Sequence, residues 1–151
     1  MTEYEPARTA EQRRRDVTHR LENDEDMWVA TSSGAGEPVL VPLSFLWDQG
    51  TVLMSTKRTN PTARNLTPRG EVRLSLGHTR DVVLVEGVAE AVEAADLARS
   101  STDAFADKLG WDPRQLPAWV YLRVTPRRIK AWRESNEIPG REVMRDGVWL
   151  V

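Results

Sequence analysis

Apolar and polar residues alternate with a period of two along most of this chain, the mark of strands with one buried face. The pattern is clearest at residues 71–76, where Val72, Leu74 and Leu76 fall on one side and Arg73 and Ser75 on the other. Residues 38–47 place Val39, Val41, Leu43, Phe45 and Trp47 on one face. They turn through Asp48-Gln49-Gly50 into residues 51–56, which makes a hairpin. Further strands are predicted at 27–31, ahead of a turn at 33–37, and at 82–92, where Gly87 marks a bulge or a close backbone approach. Residues 118–125 form another, stopped by Pro126, and 128–133 continue in extended form. A terminal hairpin at 142–151 turns on Asp146-Gly147, a type I′ signal.

Two segments break the alternation. Thr9 with Gln12 three residues on has the form of a capping box, so a helix is predicted over 9–21, with Val17 and Leu21 as its apolar stripe. An acidic loop at 22–26 follows it. Residues 94–109 are rich in Ala and Leu and end at Gly110, a natural C′ residue, which predicts a second helix before the loop 111–117. Alternating βαβ units are missing, so a doubly wound sheet is disfavoured. Long strands, a mid-strand glycine and tight turns predict a mainly β (α+β) chain: six or so antiparallel strands closed or partly closed into a barrel with flanking helices. The chain reads as one domain, 1–151, with 1–25 as N-terminal helix and loop and 134–151 as a C-terminal extension.

Composition removes several classes of function. With 151 residues, 40% hydrophobic and 29% charged, the chain has the balance of a soluble globular protein with one core. No run approaches the roughly 18 apolar residues that cross a bilayer, so no membrane partner is expected. The polar start, 1–15, does not read as a secretory signal. Cysteine is absent, which rules out disulfides and thiolate nucleophiles and fits a cytoplasmic address. The net charge of −2 argues against a nucleic-acid partner, and the run Arg13-Arg14-Arg15 reads as a solvated helix face. His19 and His78 stand apart, with no carboxylate at ligand spacing, so no metal site is expected. No Ser-His-Asp ordering suggests a hydrolase. The six tryptophans read mostly as core or dimer contacts, with one or two able to stack on a ring.

Chemistry concentrates in residues 55–66. Ser55 and Thr56 are followed by Lys57, Arg58 and Thr59, then by Asn60-Pro61, an N-cap residue before a good first helical residue. Arg64 lies one turn into the short helix that begins there. Hydroxyls, cations and a helix start together form an anion site, in which a guanidinium matches phosphate oxygens in a fork. The residues alone serve equally well as a capped surface helix with solvated cations. No glycine occurs in the segment, so it is not a Walker loop.

In their order and spacing these segments resemble the pyridoxamine 5′-phosphate oxidase-like family of flavin-binding split barrels. The matching stretches are Gly36-Glu37-Pro38-Val39-Leu40-Val41-Pro42-Leu43-Ser44-Phe45, the hairpin into Ser55-Thr56, and Pro61-Thr62-Ala63-Arg64-Asn65-Leu66. Val72-Arg73-Leu74-Ser75-Leu76, Val83-Leu84-Val85-Glu86-Gly87-Val88-Ala89-Glu90 and the late strand ending Ile129-Lys130-Ala131-Trp132 continue it. The resemblance spans about residues 27–133 and implies a six-stranded split barrel, a homodimer, and a cofactor site between subunits. It implies that Ser55, Thr56, Lys57, Arg64 and Asn65 hold a cofactor phosphate. Pro42, Leu43 and Ser44 would line the ring system, and Trp132 and Arg133 would reach it from the partner subunit. The end Arg145-Asp146-Gly147-Val148-Trp149-Leu150-Val151 departs from the Arg-Leu-x-Pro segment of true pyridoxamine phosphate oxidases, so the vitamin B6 reaction is not expected.

Shorter relatives of that family use the deazaflavin coenzyme F-420, whose oligoglutamate tail would engage further cations such as Arg58, Arg127 or Arg128. FMN and F-420 both present a ribityl phosphate, so the sequence does not separate them. Hydride chemistry belongs to the cofactor, which suits a chain with no evident acid–base dyad. The expectation is an FMN- or F-420-dependent oxidoreductase acting on a small organic substrate. The alternatives are a flavin- or haem-type carrier of the same fold and an interaction domain with a degenerate pocket.

Overall fold

The computed structural model describes residues 3–151, so the first two residues of the polar start lie outside it. The chain is mainly β. Strands β1 (Asp26–Ser32), β2 (Pro38–Asp48), β3 (Thr51–Lys57), β4 (Arg69–Leu76), β5 (Val82–Val92) and β6 (Trp119–Trp132) are all antiparallel to their neighbours. Their order is β3-β2-β1-β4-β5-β6, and a ladder between β3 and β6 closes the sheet into a six-stranded barrel. Two short strands, β7 (Glu142–Arg145) and β8 (Val148–Trp149), extend it beyond β6. Helices α1 (Ala10–Asn23), α2 (Pro61–Asn65) and α3 (Arg99–Leu109) lie against the barrel. Among the described residues no helix is long and apolar enough to cross a membrane.

The period-two pattern fills the barrel. Val29, Phe45, Met54, Leu74, Val85 and Leu122, one from each barrel strand, are at most 1% exposed. Each such side chain contributes about 1.5–3 kcal/mol by leaving water. The other face of β3 and β6 supplies Leu53 and Tyr121 to a second cluster with Leu97 and Phe105, which seats α3 on the outside. The helix predicted over 94–109 is therefore interrupted. A 3₁₀ turn at Ala94–Asp96 gives way to extended backbone at Leu97, whose side chain is buried in that cluster, and α3 begins only at Arg99. It ends at Gly110 in the left-handed conformation, as expected.

The predicted stop at Pro126 does not occur, because β6 is one 14-residue strand. Glu86 pairs with Arg128 and Gly87 with Pro126, which leaves Arg127 as the extra residue of a β-bulge. A proline is tolerated where the ladder is already broken. Gly87 is required there: a Cβ on it would lie 2.7 Å from the Thr125 carbonyl oxygen. The bulge also seats the terminal hairpin, since Gly147 N–H donates to the Arg127 carbonyl at 2.8 Å. Asp146 and Gly147 both have positive φ, as a type I′ turn demands.

Helix α1 is capped as the sequence predicts, with Thr9 Oγ1 accepting from Gln12 N–H and Gln12 Oε1 accepting from Thr9 N–H. Arg13 corrects the expectation of a solvated arginine face. It is 3% exposed, and its Nη1 donates to the carbonyls of Ala131, Glu137 and Gly140 at 2.9–3.0 Å. Beside it, buried Glu137 accepts from Arg8 N–H, Nε and Nη2 and from Arg133 N–H at 2.8–3.0 Å. The Arg8 bonds hold the Glu137 carboxyl down at about 2, against the opposing effect of burial. This clamp ties the start of α1 to the end of β6.

A carboxyl depressed in the folded state stabilises above its unfolded pKa and loses that contribution as pH falls toward the folded value. For Glu137 the window runs from about pH 4.5 down to about 2. The full contribution is on the order of 3 kcal/mol. Glu137→Gln is expected to lower the unfolding free energy by about that amount at pH 7, and by about half as much at pH 3. Urea denaturation at the two pH values checks both the size and the trend.

Candidate functional site

The barrel opens where β2 and β3 part. Their ladder covers only Phe45↔Met54 to Asp48↔Thr51. Beyond it, β2 stays on β1, from Asp26↔Ser44 to Ser32↔Pro38. Ser55, Thr56 and Lys57 stay on β6, opposite Tyr121, Val120 and Trp119. Phe45 N–H points to the β1 side, where it donates to the Glu25 carbonyl just ahead of that strand, so antiparallel alternation turns the backbone of Ser44, Pro42 and Leu40 toward the open side. Pro42 sits mid-strand at little cost because its missing N–H falls on that open edge. Helix α2 packs over the opening against β1, β2 and β3. Gly70 lets it approach, since a Cβ there would lie 2.6 Å from the Asn65 carbonyl oxygen.

The predicted site residues divide into three groups. On the open edge Pro42 is exposed, and Leu43 and Ser44 are half-buried. At the end of β3 the two hydroxyls point to opposite faces and are both buried. Ser55 Oγ donates to the Val120 carbonyl at 2.9 Å, and Thr56 Oγ1 accepts from Asn60 Nδ2 at 2.9 Å. Asn60 stands at the N-cap position as predicted, yet its side chain makes no capping bond because Thr56 takes it. Asn65 Nδ2 donates to Thr31 Oγ1 at 3.1 Å, which pins α2 to β1. Lys57 and Arg64 are exposed and make no ion pair among the described residues. The third group is distant: Trp132 pairs with Val82 and lies thirteen positions along β6 from Trp119, the residue beside Lys57, about 40 Å of chain. The Arg133 side chain is shared between Asp16 at 3.6 Å and Asp81 at 3.5 Å. Within one chain the structure does not bring Trp132 and Arg133 to the cations.

Behind α2 lies a cavity of about 470 Å³ lined by Arg58, Arg64, Thr67, Pro68, Ala91, Glu93 and Val120. Arg58 is not free. Its Nη1 and Nη2 grip both oxygens of Glu93 at 2.5 and 2.6 Å, and its Nε donates to the Pro117 carbonyl. Those bonds raise the Arg58 pKa and hold the Glu93 carboxyl below the usual carboxylate range. Sequence reasoning missed Glu93 and Thr67. Glu93 reaches Arg58 only because β5 and β3 both flank β6, and nothing in the linear pattern signals that. A second cavity, about 320 Å³, lies at the Arg8–Glu137 clamp, where the charged groups already satisfy one another.

Beside the cleft the outer face of β1 and β2 is apolar and open. Trp28 is 47% exposed opposite Pro42, and Leu40 is 63% exposed opposite Ala30. None of the six indoles is fully buried, but Trp47, Trp149 and Trp111 pack against the core clusters from their edges. Trp111 meets Phe105 and Trp119 edge-on, and Trp149 lies under the Arg14 guanidinium.

A closed antiparallel barrel, parted between two strands beneath a short helix, defines the class as a split barrel. A family model described as pyridoxamine 5′-phosphate oxidase matches residues 15–133, and the chain belongs to that family. Its fold is similar to that of general stress protein 26 from Bacillus anthracis str. Sterne, with 16% identity, a TM-score of 0.63, and coverage of 78% of this chain and 92% of that one. It is also similar to an F-420 reductase, with 20% identity, a TM-score of 0.58, and coverage of 74% and 93%. A haem-binding protein from Mycobacterium smegmatis shares 18% identity at a TM-score of 0.64, with coverage of 95% of this chain and 60% of that one. At these identities the likeness is one of fold. No curated protein matches the chain in sequence.

Gly70→Ala forces α2 off the barrel end and is expected to cost about 1–3 kcal/mol of stability. Chemical denaturation of the two proteins measures it.

Proposed function

We propose that the parted strands hold a phosphate-bearing flavin or deazaflavin, FMN or coenzyme F-420, and that the protein is an oxidoreductase acting on a small organic substrate. One observation carries this reading: among the described residues Lys57 and Arg64 make no ion pair, and they stand beside a strand edge whose backbone faces an open cleft. The residues fit such a group. A phosphate finds two free cations, and the polar rim of a ring system finds the backbone between Leu40 and Ser44. A bound flavin or deazaflavin supplies hydride transfer. The chain supplies orientation, burial and charge.

In this reading Lys57 and Arg64 bind the phosphate, with Arg58 beside them. Ser55, Thr56 and Asn65 shape the site through the bonds that fix β3 and α2. Pro42, Leu43 and Ser44 line the ring. The protein acts as a homodimer with the cofactor at the interface, because Trp28, Leu40 and Pro42 leave an apolar face next to the cleft. A partner subunit would bring its Trp132 and Arg133 to the ring. With no cysteine to oxidise, the chain suits the cytoplasm. The second reading is a ligand carrier, favoured by the fold shared with a haem-binding protein. Neither His19 nor His78 lies on the strands that border the cleft, which weighs against haem here.

Paired titrations with FMN and F-420, followed by tryptophan fluorescence, test the reading; saturable binding of neither overturns it. Transfer of hydride from bound reduced cofactor to an added acceptor separates the enzyme from the carrier. Arg64→Ala is expected to weaken cofactor binding by about 1.5–3 kcal/mol, and an unchanged dissociation constant removes Arg64 from the site. Leu40→Glu places a charge on the apolar face and is expected to shift the protein to monomers in light scattering.

A further inference from the structure

Two arginines line the cavity behind α2, and they differ in state. Arg64 has no partner among the described residues, whereas Arg58 is held in a fork by Glu93. Both members of that pair are substantially open to solvent, with 41% of the Arg58 side chain and 55% of the Glu93 side chain exposed. An exposed pair contributes little, so an anion that takes Arg58 from Glu93 gives up no more than about fivefold in affinity. The Arg58 guanidinium itself stays in place during such an exchange. Its Nε bond to the Pro117 carbonyl anchors it from behind, and the Arg58 backbone N–H bond to the Ala118 carbonyl fixes the main chain that carries it. The floor of Pro68, Ala91 and Val120 is apolar, and about 470 Å³ is within the range of a small-ligand site.

We infer that Glu93 is a specificity-determining residue that sets how many anionic groups this cavity accepts. Resting on Arg64 as the phosphate residue proposed above, a ligand with one phosphate engages Arg64 and leaves Arg58 on Glu93. A ligand with a second anionic group, carboxylate or phosphate, binds that group to Arg58 by displacing Glu93. An exposed glutamate is ionised at neutral pH and the hydrogen bonds from Arg58 lower its pKa further, so ligand charge, not protonation, is what opens the pair. Glu93 thereby disfavours multiply charged ligands relative to singly phosphorylated ones.

Isothermal titration of the full chain with inorganic phosphate and with pyrophosphate, at low ionic strength, tests this. Glu93→Gln keeps the shape of an exposed side chain and is expected to leave the melting temperature unchanged. It should tighten pyrophosphate by about fivefold and phosphate by no more than about twofold. The differential gain should vanish when Arg58→Gln is added, and should shrink at high salt. Equal gains for both anions, a gain that survives Arg58→Gln, or no pyrophosphate binding at all overturns the inference. FMN titrated in parallel reads the cofactor proposal separately. FMN binding with no anion discrimination removes only the role of Glu93, and discrimination without FMN binding removes only the flavin. F-420 compared with FMN in wild type and Glu93→Gln shows whether the second anion belongs to the cofactor. Pyrophosphate added to FMN-saturated protein shows whether a separate molecule supplies it.

Discussion

Closure of the barrel depends on β6 serving more neighbours than an ordinary strand. Along one edge it pairs with β5 from Val82 to Val92. Along the other it takes β3 over its first half and β7 over its second. A straight, regular strand does not satisfy both edges of a strongly coiled sheet, and the bulge at Arg127 supplies the bend. Gly87 opposite makes room for it, because any side chain there meets the Thr125 carbonyl. The cleft follows from the same constraint. Once β3 runs with β6 to Lys57, and β2 runs with β1 back to Pro38, the two strands of one hairpin must part after Phe45 and Met54.

Charge is distributed in keeping with that geometry. Most of the arginines are in ion pairs or bonded to carbonyls, from the buried Arg8–Glu137 clamp to the exposed Arg145–Glu142 pair. The two kinds differ in consequence. The buried clamp fixes where α1 meets the end of β6, and breaking it leaves a charge without water. The exposed pairs are each worth about 0–1 kcal/mol and yield readily to a competitor. Lys57 and Arg64, with no ion-pair partner among the described residues, keep their full attraction for an anion, and the one carboxylate that holds Arg58 does so in an exposed pair.

The strands were legible because their alternation is local, and 82–92 is recovered residue for residue. The type I′ turn at Asp146-Gly147 was legible for the same reason. Gly87 was legible as a bulge or close approach, but the partners that pairing across the barrel brings together were not. Pro126 reads as a stop until its place at a bulge is known. Arg13 reads as a solvent-facing helix residue until the carbonyls of Ala131, Glu137 and Gly140 are brought to it from more than 100 positions away. The candidate site was half legible. The cations of residues 57–64 and the helix start could be read from the sequence as a candidate anion site, but the Glu93 that holds one of them sits 35 residues from Arg58. The indoles were legible only as a class: Trp47, Trp111 and Trp149 pack on the core clusters, whereas Trp28 is left exposed next to the opening.

That exposed surface bears on assembly. A monomer with Leu40 and Trp28 in water carries a patch that soluble proteins seldom leave uncovered unless it binds something. A two-fold contact through this patch is self-complementary and buries the same residues of both copies. Under the proposed dimer, a partner on this patch would also cover the side of the cleft that α2 leaves open, and would lower the dielectric around Lys57 and Arg64. An anion held by those cations would then be bound more strongly than the same contacts allow on an isolated chain. Dimer formation and cofactor binding would then be linked, each favouring the other, because only the closed cleft excludes the water that competes for both.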